Sequence, residues 1–120
     1  MNYLDSISYF FSEFEENKQK IAVIWKDTSY NYGDILDKIY LWRIKLDTLP
    51  SGCRVGLESD FSPETIAILF ALIEKNVVIV PFDIHQGEKN KKKQEIAQLN
   101  YLVRVNSETE IAISEIINND

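Results

Sequence analysis

The sequence predicts an α/β domain: a mostly parallel, three-layer sheet with helices on both faces, plus a small N-terminal hairpin. Three observations lead to this fold class. From Cys53 onward, strand-like and helix-like patterns alternate, which favours parallel strands joined by right-handed crossovers. Residues 77–80 are apolar without alternation, as in a strand covered on both faces. Residues 66–73 are apolar almost all round, which predicts a buried helix that leads into that strand.

Length, composition and charge limit the number of domains and the kinds of partner that the chain can have. A chain of 120 residues is long enough for one core, so we expect a single domain over residues 1–120. The net charge of −6 provides no attraction to nucleic acid or anionic membranes, and we expect neither as a partner. Cys53 is the only cysteine, so no internal disulfide can form. Without a signal-peptide pattern or a long apolar run, we expect a cytoplasmic protein.

The first half of the chain predicts a helix, a hairpin and a second helix. Residues 2–18 carry apolar side chains at helical spacing, so this helix should dock on the core by its aromatic side; the alternative is a partner-binding helix. Residues 21–25 and 29–32 flank a turn cluster and predict a hairpin. Gly33 and Asp34 open a helix whose apolar stripe runs to Leu49, and Pro50 stops it.

The second half predicts alternating strands and helices. Residues 53–59 form a strand in which Gly56 lets another backbone come close. Ser62 is the expected N-cap of the next helix, Pro63 suits its first position, and Asn76 can end it in a left-handed conformation. A third helix follows over residues 88–99, and then a strand over 101–105. Residues 106–108 predict a turn, 110–113 a strand that pairs back, and 114–120 a polar tail with a short helical tendency.

Few residues suggest chemistry. Cys53 and His85 have no partner at a useful spacing, so a small core residue and a solvated loop histidine are expected. Asp60 and Asp83 each follow a predicted parallel strand, and two acids at that edge can hold Mg²⁺ or can cap the next helix. The lysines at 89, 91, 92 and 93 can contact phosphate, but such a run is usually a solvated helix face. The sequence has neither a Gly-rich phosphate loop nor a nucleophile elbow.

Three stretches, in this order, resemble the N-terminal part of the adenylate-forming superfamily of acyl-CoA synthetases, peptide-synthetase adenylation domains and luciferases. Residues 29–36, SYNYGDIL, resemble the early "TYxEL" motif. Residues 51–57, SGCRVGL, resemble "GDRVAL", with Cys53 in place of the usual acid. Residues 62–83, from SPE to NVVIVPFD, resemble "SPE…LKAGAVVVPLD", with Lys75, Asn76 and Phe82 as departures.

The resemblance implies a scaffold without the catalytic machinery. Family members use ATP and Mg²⁺ to activate a carboxylic acid as an acyl-adenylate, which then passes to coenzyme A or a carrier-protein thiol. The family's phosphate loop, its adenine- and ribose-binding motifs and its C-terminal lysine all lie beyond the matched region. The resemblance therefore carries over no catalytic, cofactor-binding or metal-binding residue, and implies that the chain binds no cofactor and is inactive alone.

Two expectations about partners and one alternative function accompany this reading. The chain should associate with the remainder of a ligase, whether it is an excised portion or a natural half of a split enzyme. It should also self-associate through an apolar face left exposed. The alternative is a stand-alone flavodoxin-like binding or signalling module with an acidic site at Asp60 and Asp83; a purely structural interaction domain is the third interpretation.

Overall fold

The computed structural model describes residues 3–106 and 111–116. Its elements, in chain order, are α1 (Tyr3–Glu16), β1 (Ile21–Trp25), β2 (Thr28–Asn31), α2 (Tyr32–Lys45), β3 (Arg54–Ser59), α3 (Pro63–Glu74), β4 (Val78–Asp83), a 3₁₀ turn (Ile84–Gln86), α4 (Glu88–Ala97), β5 (Tyr101–Val105) and β6 (Ala112–Glu115). No described helix is long and apolar enough to cross a membrane.

Strands β3 to β6 form one sheet in the order β4-β3-β5-β6. β3 is parallel to both β4 and β5, and its register places Arg54 beside Val78 and Ser59 beside Asp83. β6 returns antiparallel to β5. The predicted parallel arrangement of residues 54–58 and 77–81 is thus confirmed, and so is the hairpin that pairs back onto the last parallel strand.

Helices cover both faces of this sheet, as predicted. α2 and α3 pack on the face that carries Val55 and Leu57, and together they form the main core. The core is apolar and almost fully buried, and its members include Ile35, Ile39, Trp42, Leu46, Ile68, Leu72 and Val103. On the other face, Gln94 of α4 bonds to Glu58. The sheet is therefore the middle of three layers.

Gly56 lies on the α4 side of the central strand, where space is tight. A Cβ atom at Gly56 would overlap Leu99 Cδ1 and would lie 3.0 Å from Leu102 Cδ1. Phe82 Cε2 would be only 3.2 Å away. The close approach that the sequence predicted is therefore real, but it is made by three side chains and not by another backbone.

The position of β4 differs from the sequence prediction. Its apolar run predicted a strand covered on both faces, but β4 is an edge strand and only Phe82 in it is buried. Val78 is 52% exposed. The strand that is buried from Val55 to Ser59 is β3, which has a neighbour on each side. Pro81 fits an edge position because proline lacks the N–H that a central strand needs on both sides.

The helix ends follow the sequence in part: α2 ends at Lys45 and α4 at Ala97, before the predicted ends at Leu49 and Leu99. Asn31 and Asp34 form a capping box at the start of α2: the Asp34 N–H donates to Asn31 Oδ1 at 2.7 Å, and the Asn31 N–H donates to Asp34 Oδ2 at 2.9 Å. Asn76 follows α3 in the left-handed region at φ 57°, as predicted. Ser62 occupies the N-cap of α3, but its side chain makes no capping bond. Its hydroxyl instead lies 3.4 Å from Thr65 Oγ1.

The N-terminal elements pack onto the helical layer. Phe14 of α1 meets Phe70 of α3 edge-to-face, with ring centroids 5.3 Å apart, and Phe11 also contacts Phe70. This confirms the docked helix. β1 and β2 form the predicted antiparallel hairpin, whose turn residues Lys26 and Asp27 both have positive φ.

The C-terminal stretch departs from its prediction in one place. Ser114 and Glu115 belong to β6 and not to a helical tail, because β6 pairs with β5 from Ala112 to Glu115. The predicted turn at 106–108 and the last residues of the predicted tail lie largely outside the described residues.

Candidate functional site at the carboxyl ends of the parallel strands

The two acids singled out in the sequence lie at the same edge of the sheet. Asp83 ends β4 and is the register partner of Ser59, which ends β3, and Asp60 follows Ser59 directly. Ligands of open α/β sheets bind outside this edge. The carboxyl ends of β3 and β4 are therefore where a ligand site is expected.

Asp60 organises the loop that enters α3. Its carboxylate Oδ1 accepts a hydrogen bond from the Ser62 N–H at 3.2 Å. Its backbone N–H donates to the Val105 carbonyl at 3.1 Å, and its own carbonyl accepts from Thr65 Oγ1 at 2.8 Å. Asp60 is only 8% exposed. These contacts join the ends of β3 and β5 to the first turn of α3, which is a structural role.

Asp83 plays the matching role at the end of β4. Its carboxylate Oδ1 accepts from the His85 N–H at 2.9 Å and so caps the 3₁₀ turn. Its carbonyl accepts from Asn90 Nδ2 at 2.6 Å, which explains why the polar Asn90 side chain is buried in α4. His85 itself is exposed.

The described residues contain no group of three or more His, Cys, Asp or Glu side chains placed to hold a metal ion. One carboxylate oxygen of Asp60 and one of Asp83 accept a backbone N–H, as carboxylates do in capping turns. Both acids lie at the predicted edge of the sheet, and each stabilises the loop that follows its strand. A Mg²⁺ site at Asp60 and Asp83 stays a prediction.

A polar cluster that the sequence did not reveal lies beside the start of α3. Glu64 accepts from Lys38 Nζ at 2.6 Å and from Trp42 Nε1 at 2.7 Å. Burial raises the pKa of the Glu64 carboxyl, but the bonds from Lys38 and Trp42 outweigh it, so the pKa lies below its ordinary value. Glu64 is therefore ionised at neutral pH and ties α2 to α3.

A shallow cleft of about 200 Å³ opens next to this cluster. Its walls come from the hairpin, the start of α3 and the end of β5: Trp25, Tyr30, Lys38, Glu64, Asn106 and Ile111. The only charged groups among these lining residues are Lys38 and Glu64, which neutralise each other. The cleft therefore offers no free charge on its walls for binding a ligand.

The second missed cluster lies on the opposite face of the sheet. Glu58 is 7% exposed, and it accepts from Arg104 Nε at 2.9 Å and from Gln94. It links β3, β5 and α4. An acid directly after the apolar residues 55–57 of β3 was the available signal, but Arg104 is 46 residues away and nothing local connects the two.

The remaining candidates behave as the sequence predicted. Cys53 is buried at the opposite, amino end of β3, where burial raises the pKa of its thiol. A protonated, buried thiol is a core residue and not a nucleophile. The α4 lysines are all exposed: Lys89, Lys91, Lys92 and Lys93.

No protein-family model and no curated protein match the sequence, but solved structures match its fold. The N-terminal subdomain of NpsA from Klebsiella oxytoca, in complex with 3-hydroxybenzoyl-AMSN, has a TM-score of 0.73 over 82% of this chain at 20% identity. An artificially fused adenylation–PCP di-domain, NpsA-ThdA from the same organism, has a TM-score of 0.72 over 82% at 20% identity. VinN in complex with L-aspartate has a TM-score of 0.69 over 80% at 16% identity.

This chain spans 26%, 19% and 28% of those three neighbours, respectively. Its fold is that of an N-terminal portion of an adenylation domain. The fold expected from residues 29–36, 51–57 and 62–83 is thereby confirmed.

Proposed function

We propose that this chain is the scaffold portion of an AMP-forming ligase that activates a carboxylic acid as an acyl-adenylate for transfer to a thiol. The observation that carries the proposal is the fold likeness to the NpsA N-terminal subdomain, at a TM-score of 0.73 over 82% of the chain. The order and spacing of the three sequence motifs, at residues 29–36, 51–57 and 62–83, support it independently, since they resemble the motifs of that family.

The chain by itself is proposed to be inactive and to bind no cofactor. Its strand-end polar groups stabilise loops: Asp60 bonds Ser62, and Asp83 bonds His85 and Asn90. The sequence contains no Ser/Thr/Gly-rich phosphate loop. ATP and Mg²⁺ would be held by the remainder of the ligase, which is the proposed partner, and the proposed location is the cytoplasm.

Pyrophosphate exchange tests this proposal. The 120-residue chain should give no carboxylate-dependent exchange between ATP and pyrophosphate. The reading frame that follows codon 120, or a second protein that binds this chain, should encode a Ser/Thr/Gly-rich loop. Adding that segment should produce exchange with at least one carboxylic acid. Exchange by the 120-residue chain alone, or a following frame and binding partner that both lack the loop, would contradict the proposal.

The alternative function is a flavodoxin-like module with an acidic site, favoured by the common location of Asp60 and Asp83. Titration with Mg²⁺, followed by backbone amide NMR, separates the two proposals. The scaffold should show no saturable shift at about 10 mM Mg²⁺. A saturable shift at the carboxyl ends of β3 and β4 that Asp83→Asn abolishes would support the alternative.

A further inference from the structure

The sheet has two outer edges, and the β4 edge is interrupted. The Val78 N–H donates to the Cys53 carbonyl at 2.9 Å, so Val78 directs its backbone groups toward β3. In a strand, alternate residues direct their backbone groups to the same side. Ile79, Pro81 and Asp83 therefore face outward. Pro81 stands in the middle of this row without an N–H, which blocks the pairing of another strand here.

The β6 edge has no such block. The Ile116 N–H donates to the Asn100 carbonyl at 2.8 Å, so Ile116 and, by alternation, Ser114 and Ala112 face β5. Ile111, Ile113 and Glu115 direct their N–H and C=O groups outward. All four residues of β6 are exposed, and Ile113 is 42% exposed. Within the described residues, this is an open edge ready for strand addition.

We propose that β6 pairs antiparallel with β6 of a second copy of this chain, about a two-fold axis at Ile113. Such pairing sets Ile113 opposite Ile113 and Ile111 opposite Glu115, and forms about six backbone hydrogen bonds. No like charges stand opposite each other, and the central pair is β-branched, which suits cross-strand contact. The outward row of β6 is thus complementary to itself.

The apolar surface continues beside the pair. Ile113 is the register partner of Val103, whose side chain belongs to the main core, and Ile111 packs against the same core. Ile113 of the second copy would therefore lie beside apolar side chains and would extend the apolar face of the sheet. Because identical edges meet and Pro81 blocks the other edge, the assembly closes as a dimer and does not grow into a filament.

Sedimentation of the full chain over about a hundredfold range of concentration tests the inference. The mass should rise from 14.0 kDa to twice that value. Each copy carries a net charge of −6, so added salt should strengthen association by screening the repulsion. A monomer at every concentration and salt level would overturn the inference.

Three variants locate the surface. Ile113→Pro removes an outward N–H but no ladder bond to β5, so it should abolish the dimer while circular dichroism stays unchanged. Ile113→Val, the matched control, keeps the N–H and a β-branched side chain and should stay dimeric. Pro81→Val restores an N–H at an exposed position of β4 and should give species larger than a dimer. A folded Ile113→Pro dimer, or a Pro81→Val protein that stays dimeric, would refute this account of the edges. The inference is independent of the ligase proposal, which pyrophosphate exchange tests.

Discussion

Gly56 allows a quantitative test of how the central strand packs. Replacing it with alanine places a methyl group against Leu99, Leu102 and Phe82 on the α4 side of the sheet. Leu99 is 1% exposed and Phe82 is 8% exposed, so neither can move into solvent without losing buried area. Gly56→Ala is therefore an overpacking substitution at a site with little room to relax.

The expected cost follows from two opposing terms. Overpacking costs about 1–3 kcal/mol, and the overlap with Leu99 together with two further tight contacts puts this site in the upper half of that range. Alanine also restricts the unfolded chain more than glycine does, which raises the free energy of unfolding by about 0.4–1 kcal/mol. The net destabilisation should be about 2 kcal/mol. With an m value of about 2 kcal/mol per molar urea, the unfolding midpoint should fall by about 1 M.

Equilibrium urea unfolding at one fixed protein concentration measures this change. Leu99→Ala is the natural companion variant, because it removes the side chain that the new methyl overlaps. On its own it should cost about 2–5 kcal/mol. The double variant Gly56→Ala/Leu99→Ala should be at least about 1 kcal/mol more stable than the sum of the single effects predicts. An unchanged midpoint for Gly56→Ala, or strict additivity in the double variant, would refute the packing described for Gly56.

Three further predictions concern Glu64, Cys53 and Asn31. The pKa of Glu64 is lowered in the folded state, so the ionised carboxylate stabilises the fold above its unfolded pKa, and this stability is lost as the pH falls through the lower folded pKa. Glu64→Gln should therefore lower the free energy of unfolding by ~1 kcal/mol at pH 7, allowing for solvent screening. In the variant, the urea midpoint should fall less steeply than in the native protein between about pH 5 and pH 3. An equally steep fall in the variant would count against the ion pair. Cys53 is buried and the pKa of its thiol is raised. Iodoacetamide at pH 8, followed by mass spectrometry, should therefore modify Cys53 at least about tenfold more slowly in the native protein than in urea. Equal rates would show that the thiol is accessible in the folded state. Asn31→Ala removes the side chain that accepts the capping hydrogen bond at the start of α2. It should lower the free energy of unfolding, measured by thermal unfolding, by about 1 kcal/mol, whereas Asn31→Ser should lower it by much less. Equal losses in the two variants would mean that the cap contributes nothing.

The order and type of the elements could be predicted from the sequence because each depends on local signals. Pro63 marks the first position of α3, Asn76 marks its end, and the period of the apolar residues distinguishes helices from strands. The parallel arrangement followed from alternation alone. These signals act within a few residues, so no tertiary contact needs to be known in order to read them.

The position of a strand within the sheet could not be read in the same way. The apolar run of β4 suggested a central strand, but strand order depends on which partners arrive from far along the chain. Pro81 was the one residue that indicated an edge. The polar clusters share this limit: Glu58 and Arg104, and Lys38 and Glu64, are brought together by the sheet and the helix packing.

The loop roles of Asp60 and Asp83 were visible only as one of two alternatives. An acid after a parallel strand can serve a ligand or a turn, and the sequence contains both possibilities at once. The choice depends on where the next few N–H groups point, which is a matter of backbone geometry. In this fold the Ser62 and His85 N–H groups point at the two carboxylates.

The central location of β3 has a consequence for biosynthesis. Its first neighbour, β4, is synthesised about twenty residues after it, and its second neighbour, β5, about twenty residues later still, which takes about 1–5 s of translation. During that interval a strand that is buried in the finished protein has one side unpaired. An unpaired strand edge can pair with another chain, and translation pausing between codons 83 and 105 would prolong its exposure.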